Sequence, residues 1–248
     1  VLDAECLKYD IKYRHIFSSN YVVRSSSKSF ELASKIVLFS NASKNSFLKR
    51  GFEKDRICVI NPGKPREFDN SFSEDKKYAF VSTAFHSLIK GTHKLLLAWR
   101  EANIVDIPLI IVGELHEDMK EFLAKYGPFD NVQFVGSQKI DNFYKQYNAV
   151  GILCSLSEGS PRAVLEYMAN SFPVIVSPVA TCDLVKHGEN GFIADSVAEI
   201  INALRTFSDN RELFRGMGES ALSSINALPQ QHYAEELVAL FRELLDEN

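Results

Sequence analysis

The stretch VGILCSLSEGSPRAVLEYMANSFPVIVS, residues 150–177, decides the architecture. It opens on a short apolar run (150–154) and closes on another (173–177), each of a length and composition that suits a strand buried on both faces. Between them 162–170 reads as a helix. Ser160 stands where an N-cap is wanted and Pro161 where the first helical residue is wanted. Strand, helix and strand in so little chain make a βαβ unit, with parallel strands and a right-handed crossover.

The same alternation continues upstream. Strands are expected at 78–82, 108–112 and 132–135, the last two ending at Gly113 and Gly136. Helices are expected at 92–101, with Leu95, Leu96 and Trp99 on one face, at 118–126, closed by Gly127-Pro128, and at 139–147. Repeated units of this kind predict an α/β fold, a Rossmann-like doubly wound parallel sheet. Beyond Gly191 the chain turns helical, over 196–206, 211–225 and 230–246; the last carries Tyr233, Leu237, Leu240, Phe241, Leu244 and Leu245 on one stripe, which must pack against something. Nearer the start, 35–39 and 56–60 read as strands around a helix at 40–50 that stops at Gly51, and Asn61-Pro62-Gly63 closes the segment. Residues 64–77 are polar and charged and read as a linker. The division expected is therefore a partial first domain (1–63), the linker (64–77), a larger domain (78–228) and a terminal helix (229–248). About 60 residues bury only a modest core, so the first segment looks like the end of a domain whose remainder lies outside this chain.

Composition narrows the partners. The chain has 248 residues, 46% hydrophobic and 24% charged, with 28 Lys+Arg against 32 Asp+Glu for a formal charge of -4. No basic excess argues for nucleic acid, so a phosphate site has to be a local arrangement. Apolar runs such as 109–112 and 174–176 are far shorter than a membrane span, and the opening Val1-Leu2-Asp3-Ala4-Glu5 lacks the apolar core of a secretory leader. Four scattered cysteines (Cys6, Cys58, Cys154, Cys182) read as free thiols, mostly in the core, in a reducing cytoplasm. There is no G-x-x-x-x-G-K-[ST] loop, no G-x-G-x-x-G after a strand, no G-x-S-x-G elbow and no H-E-x-x-H.

In an open parallel sheet, ligands bind beyond the carboxyl ends of the strands. The segments there are 83–90, 113–117, 136–138 and 155–161. The last leads into the helix at 162, whose first amides, on Arg162 and Ala163, together with the helix dipole favour an anion. Glu158 stands in the loop before them and Glu166 within the helix. Carboxylates accept hydrogen bonds from sugar hydroxyls, so amides and acids together suit a nucleotide sugar. On spacing alone Glu158 also fits an ordinary loop acid, Glu166 an early-helix acid and Lys90 a solvated lysine. His86 and His93 read as surface or packing residues.

The segment from Glu158 to Ser177 resembles the E-x7-E segment of retaining GT-B glycosyltransferases, the glycosyl transferases of group 1 or family 4. The stretch DLVKHGENGFI, from Asp183, is similar to that family's I-x-D-G-x-N-G-F-L. Lys90-Gly91, the strand ends at Gly113 and Gly136, and the residues from about Phe30 to Gly63 also look like family elements. The resemblance implies a GT-B C-terminal domain that binds a UDP- or GDP-linked sugar. It implies that Lys90 contacts the diphosphate, Glu158 lies by the donor sugar and Glu166 binds the ribose. Ser160, Pro161, Arg162, Ala163, Thr83, Gly136 and Ser137 complete the expected donor-binding set, with Glu158 and Lys90 as the catalytic pair. It further implies transfer with retention to a glycan or lipid-linked acceptor, without metal or cofactor, at the inner face of a membrane. The terminal helix would cross back onto the N-terminal domain, most of which is missing. One departure stands out: Ser82-Thr83 occupies the place of the family's usual G-R pair, so a diphosphate cation is absent unless His86 or Arg162 compensates. A non-catalytic nucleotide-sugar-binding or scaffold subunit is the alternative.

Overall fold

The computed structural model describes residues 2–12, 27–65, 70–228 and 232–246. Its centre is a six-stranded, all-parallel sheet in the order β5-β4-β3-β6-β7-β8. The strands are β3 (Lys77–Thr83), β4 (Leu109–Val112), β5 (Val132–Gly136), β6 (Tyr147–Leu153), β7 (Val174–Val176) and β8 (Gly191–Ile193). The chain runs outward from β3 to β5, returns to lay β6 beside β3, and runs outward again to β8. The order therefore reverses between β3 and β6, and a crevice at their carboxyl ends is the natural ligand site of such a sheet.

Alternating side chains feed two apolar layers, as the two-residue period of a strand requires. Phe80, Leu109, Ile111, Val150, Ile152 and Ile175 point to one face, which buries Trp99, Phe122, Leu204 and Phe207. Ala79, Val81, Ile110, Val112, Leu153, Val174 and Val176 point to the other, against Tyr144, Val164, Tyr167, Met168 and Ile225. This is the doubly wound sheet that the sequence predicts. A smaller parallel pair, β1 (Ile36–Leu38) and β2 (Ile57–Val59), flanks helix α2 (Asn41–Lys49). Ser40 caps that helix by accepting a hydrogen bond from the Ser43 amide at 3.2 Å.

Helix α1 (Leu2–Lys8) was not expected. It lies on the larger unit, where Leu2, Tyr9 and Ile11 enter the same core as Trp99. The other helices are α3 (Thr92–Ala102), α4 (Glu117–Tyr126), α5 (Ile140–Tyr144), α6 (Arg162–Ala169), α7 (Val197–Asp209), α8 (Glu212–Asn226) and α9 (His232–Asp246). The helix expected at 139–147 is shorter than that, because Tyr147 already pairs with Lys77 to begin β6. The strand expected at 150–154 therefore begins earlier, its start masked by the polar Asn148. Asn148 is buried and clasps Ser73 with both ends of its amide, at 2.7 and 3.2 Å. β8 was hidden too: Asn190-Gly191 reads as a turn, yet Gly191 starts a three-residue edge strand on β7. In the expected linker, Asn70 is buried, bonds the carbonyls of Tyr144 and Asn170 at 3.3 and 3.4 Å, and takes the Lys76 ammonium at 2.6 Å. Residues 229–231 and 247–248 of the expected terminal helix lie outside the described residues. In the described part Leu240 is buried, Tyr233 meets the ring of Phe39, and Val238, Phe241 and Leu245 are exposed.

Candidate functional site

The loops after β3 and β6 are fastened to each other at the switch point. The Leu156 amide donates to the Ile89 carbonyl at 2.8 Å. Gly91 adopts φ +70°, and a Cβ there would stand 1.8 Å from the Cys154 carbonyl oxygen. Only glycine tolerates both the left-handed backbone and that approach. Lys90, the last residue of the 3-10 turn Leu88–Lys90, is thereby delivered against the β6 loop. Its Nζ donates to Glu158 Oε1 at 2.6 Å. Ser155 Oγ donates to the same oxygen at 2.7 Å. Lys90 stays one-third exposed while the Glu158 side chain is only 9% exposed. The sequence placed Lys90 and Glu158 at one sheet edge, and the structure brings them into an ion pair. Ser155 and Ser177, whose Oγ donates to the Ser155 carbonyl at 2.6 Å, carried no signal beyond their places just past strand ends.

The Lys90 turn rests on α4. The Leu88 amide donates to Asp118 Oδ2 at 3.1 Å, and Asp118 is buried with its other oxygen 3.0 Å from His116 Nδ1.

Helix α6 follows the Glu158 loop, and here the expected cap is corrected. Pro161 is the N-cap residue and the helix begins at Arg162. Ser160 Oγ is buried and no side chain caps the helix. The amides of Arg162 and Ala163 take no backbone acceptor among the described residues, so the anion-favouring helix end remains. Arg162 itself is exposed.

On the β3 side the expected cation is replaced by a neutral cluster. The Thr83 amide donates to Tyr167 Oη at 2.5 Å, and Thr83 Oγ1 lies 2.8 Å from Tyr144 Oη. Tyr167 reaches this position because its ring lies flat on Gly151 of β6, where a Cβ would come within 2.2 Å of it. Burial pushes the Tyr167 phenol up to about 12 and holds Tyr144 well above its ordinary range; the nearby Glu166 carboxylate adds to both. Glu166 is half-buried near this pair. Gly136 and Ser137 are exposed at the end of edge strand β5, two strands from β3.

His86 cannot stand in for the missing arginine. It is fully buried, its Nε2 donates to the Val112 carbonyl at 3.0 Å, and its Nδ1 therefore accepts from Thr92 Oγ1 at 2.9 Å. Burial lowers its pKa to about 4, so it is a neutral packing residue at physiological pH. His93 is likewise buried, with Nε2 2.8 Å from Glu5. Of the cysteines, Cys154 and Cys182 are buried, which pushes both thiols up to about 12; Cys6 and Cys58 are half-buried, not core. Thiolate chemistry at the crevice is thereby disfavoured. Among the described residues no group of three or more His, Cys, Asp or Glu is arranged to hold a metal ion.

The smaller unit touches the same loop. Ser40 Oγ donates to the Gly159 carbonyl at 2.5 Å, and Asp183 Oδ2 accepts from the Asn41 amide and side chain at 2.7 and 3.1 Å.

Comparison with known proteins identifies the family of the chain. The family described as Glycosyl transferases group 1 matches residues 64–223. The chain belongs to this family. An uncharacterized glycosyltransferase of Haemophilus influenzae is 27% identical over 222 residues, which is 84% of this chain and 62% of that protein. Among solved structures, the sucrose-phosphate synthase of Thermosynechococcus elongatus shares the fold with a TM-score of 0.76 at 20% identity, over 98% of this chain and 66% of its own. Anabaena HepE, solved in complex with UDP and glucose, gives 0.71 at 19% identity over 93% of this chain and 68% of its own. Staphylococcus aureus TarM, solved with UDP among its ligands, gives 0.70 at 16% identity over 88% of this chain and 46% of its own. The group 1 chain described here thus spans well under the full length of several of its relatives. Among its described residues no helix is long and apolar enough to cross a membrane.

Proposed function

We propose that this chain carries the donor half of a glycosyltransferase. It would take a sugar from a UDP- or GDP-linked donor and pass it, with retention of configuration, to a glycan or lipid-linked acceptor. The observation that carries the reading is the Lys90–Glu158 pair at the switch point of the parallel sheet, beside the open amides of α6. Lys90 and those amides would take the charge that grows on the leaving diphosphate, and Glu158 would accept a hydrogen bond from the donor sugar. Glu166 would hold the ribose. No protein nucleophile, metal or cofactor is invoked. The acceptor would lie across the crevice, on the side of β1, β2 and α2, a reading supported by the contacts of Ser40 and Asn41 with Gly159 and Asp183. A cytoplasmic setting with peripheral attachment to the inner face of a membrane completes the proposal.

Thermal melting with UDP, GDP and their hexose conjugates tests it, since a ligand that binds only the folded form raises the melting temperature. One base is expected to do so. Lys90→Ala and Glu166→Ala should each weaken that binding about 10- to 100-fold, the worth of a charge-assisted hydrogen bond of roughly 1.5–3 kcal/mol. No shift with any of these ligands overturns the proposal.

The neutral cluster at Thr83 favours a second reading, in which the fold binds nucleotide sugar as a scaffold without turnover. Transfer of labelled sugar by the protein with Thr83 intact removes that reading. Activity that appears only in Thr83→Arg supports it.

A further inference from the structure

We propose that Ser155 is a positioning residue for the donor sugar: its hydroxyl turns the Glu158 carboxylate so that one oxygen is spoken for and the other is presented to a sugar hydroxyl. The inference deepens the reading of Glu158 as the donor-side acid and rests on it.

The two oxygens of Glu158 are not equivalent. Oε1 receives both Ser155 Oγ at 2.7 Å and Lys90 Nζ at 2.6 Å. Two strong donors fill the acceptor capacity of one carboxylate oxygen. Oε2 has no hydrogen-bond partner among the described residues, yet it is not one of the buried atoms left unsatisfied, so the 9% exposure of the side chain includes it. A charged oxygen with a narrow opening to solvent and no protein donor is suited to a ligand that brings its own O–H. A sugar hydroxyl is such a donor; a phosphate oxygen is not.

The last torsion of a glutamate is broad, so the carboxylate does not hold an orientation by itself. Ser155 supplies it. Ser155 is 2% exposed, its carbonyl is held by Ser177 Oγ at 2.6 Å, and the next amide is held by Ile89 at 2.8 Å. The backbone that carries the hydroxyl is therefore held both from the end of β7 and from the Leu88–Lys90 turn. Lys90 alone could not do this: its long, partly exposed side chain follows the carboxylate. The same chain of contacts divides labour on the ammonium. One N–H goes to Glu158, and two remain for diphosphate oxygens.

The test compares a nucleoside diphosphate with its hexose conjugate, UDP with UDP-glucose or GDP with GDP-mannose, whichever base raises the melting temperature. In Ser155→Ala the affinity for the conjugate should fall roughly 5- to 20-fold, within what one charge-assisted hydrogen bond is worth, while affinity for the free diphosphate changes less than about twofold. Ser155→Cys keeps the side-chain volume nearly constant but offers a weak donor, and should show the same selective loss if the alanine variant does not fold. Ser155→Ala placed on Glu158→Ala should add nothing further. Equal losses for diphosphate and conjugate would mean that Ser155 only packs the loop, and would overturn this inference while leaving the donor site standing. A wild-type chain that binds diphosphate but gains nothing from the sugar also overturns it. A wild-type chain that binds neither overturns the parent reading and this one with it.

Discussion

The two strands that border the crevice, β3 and β6, end in opposite ways. At β6 the loop is charged: Glu158 receives Lys90 and Ser155, and α6 begins behind it with amides that take no backbone acceptor among the described residues. At β3 the loop is neutral: Thr83 is tied through its amide to Tyr167 and through its hydroxyl to Tyr144. The backbone ends of neighbouring parallel strands are alike, so the loops and helix starts that follow them decide which lip handles charge. Lys90 shows how far that decision can depart from chain order. It follows β3 in sequence, but Gly91 and Ile89 carry it across to the β6 lip.

The largest expected effect comes from prising the lips apart. Gly91→Ala puts a methyl into the Cys154 carbonyl and strains a φ of +70°. It should lose at least about 3 kcal/mol of stability in urea unfolding, together with donor binding. A variant of wild-type stability would break the claim that the lips are in contact there.

The β3 lip also has its own pH dependence. His86 has a folded pKa of about 4, below its ordinary value because of burial. As pH falls from about 6.5 the unfolded chain gains the proton first, so stability is complete above that pH and declines until about pH 4. The full decline is about 3 kcal/mol. Urea unfolding between pH 7 and 5 should show the onset of this slope, and His86→Gln should flatten it. An unchanged slope would mean that His86 is not buried as a neutral group.

Tyr167→Phe removes the acceptor of the Thr83 amide and should lower stability by about 1–2 kcal/mol, with donor affinity nearly unchanged. A strong loss of donor binding would show that the Thr83–Tyr167 bond also shapes the donor site. Thr83→Val keeps the amide bond and loses only the contact with Tyr144, for about 1 kcal/mol or less on the same assay.

Most of the sheet was legible because its strands are short apolar runs, two of them closed by Gly113 and Gly136, and the chain order of βα units leaves few topologies. Asn148 and Gly191 were misleading for a shared reason. Each looks wrong for a strand by propensity, and each is justified by a tertiary partner, Ser73 for one and β7 for the other. At the site, charged residues in strand-end loops announced themselves, and Lys90 and Glu158 meet as their positions suggested. Ser155, Tyr144 and Tyr167 did not. A serine after a strand and two aromatics among apolar neighbours are ordinary in sequence, and their roles arise only when three separate loops converge. Ser160 misled in the opposite direction, because serine before Pro-Arg has the pattern of a cap while Pro161 takes that position and the hydroxyl faces inward.

The hydroxyl of Ser40 belongs to two structures at once. It caps α2 in the smaller unit and grips the backbone of Gly159, one residue beyond the acid that faces Lys90. A tilt of that helix would tug directly on the residue next to Glu158. The posture of one half of the molecule is in this way mechanically audible in the other.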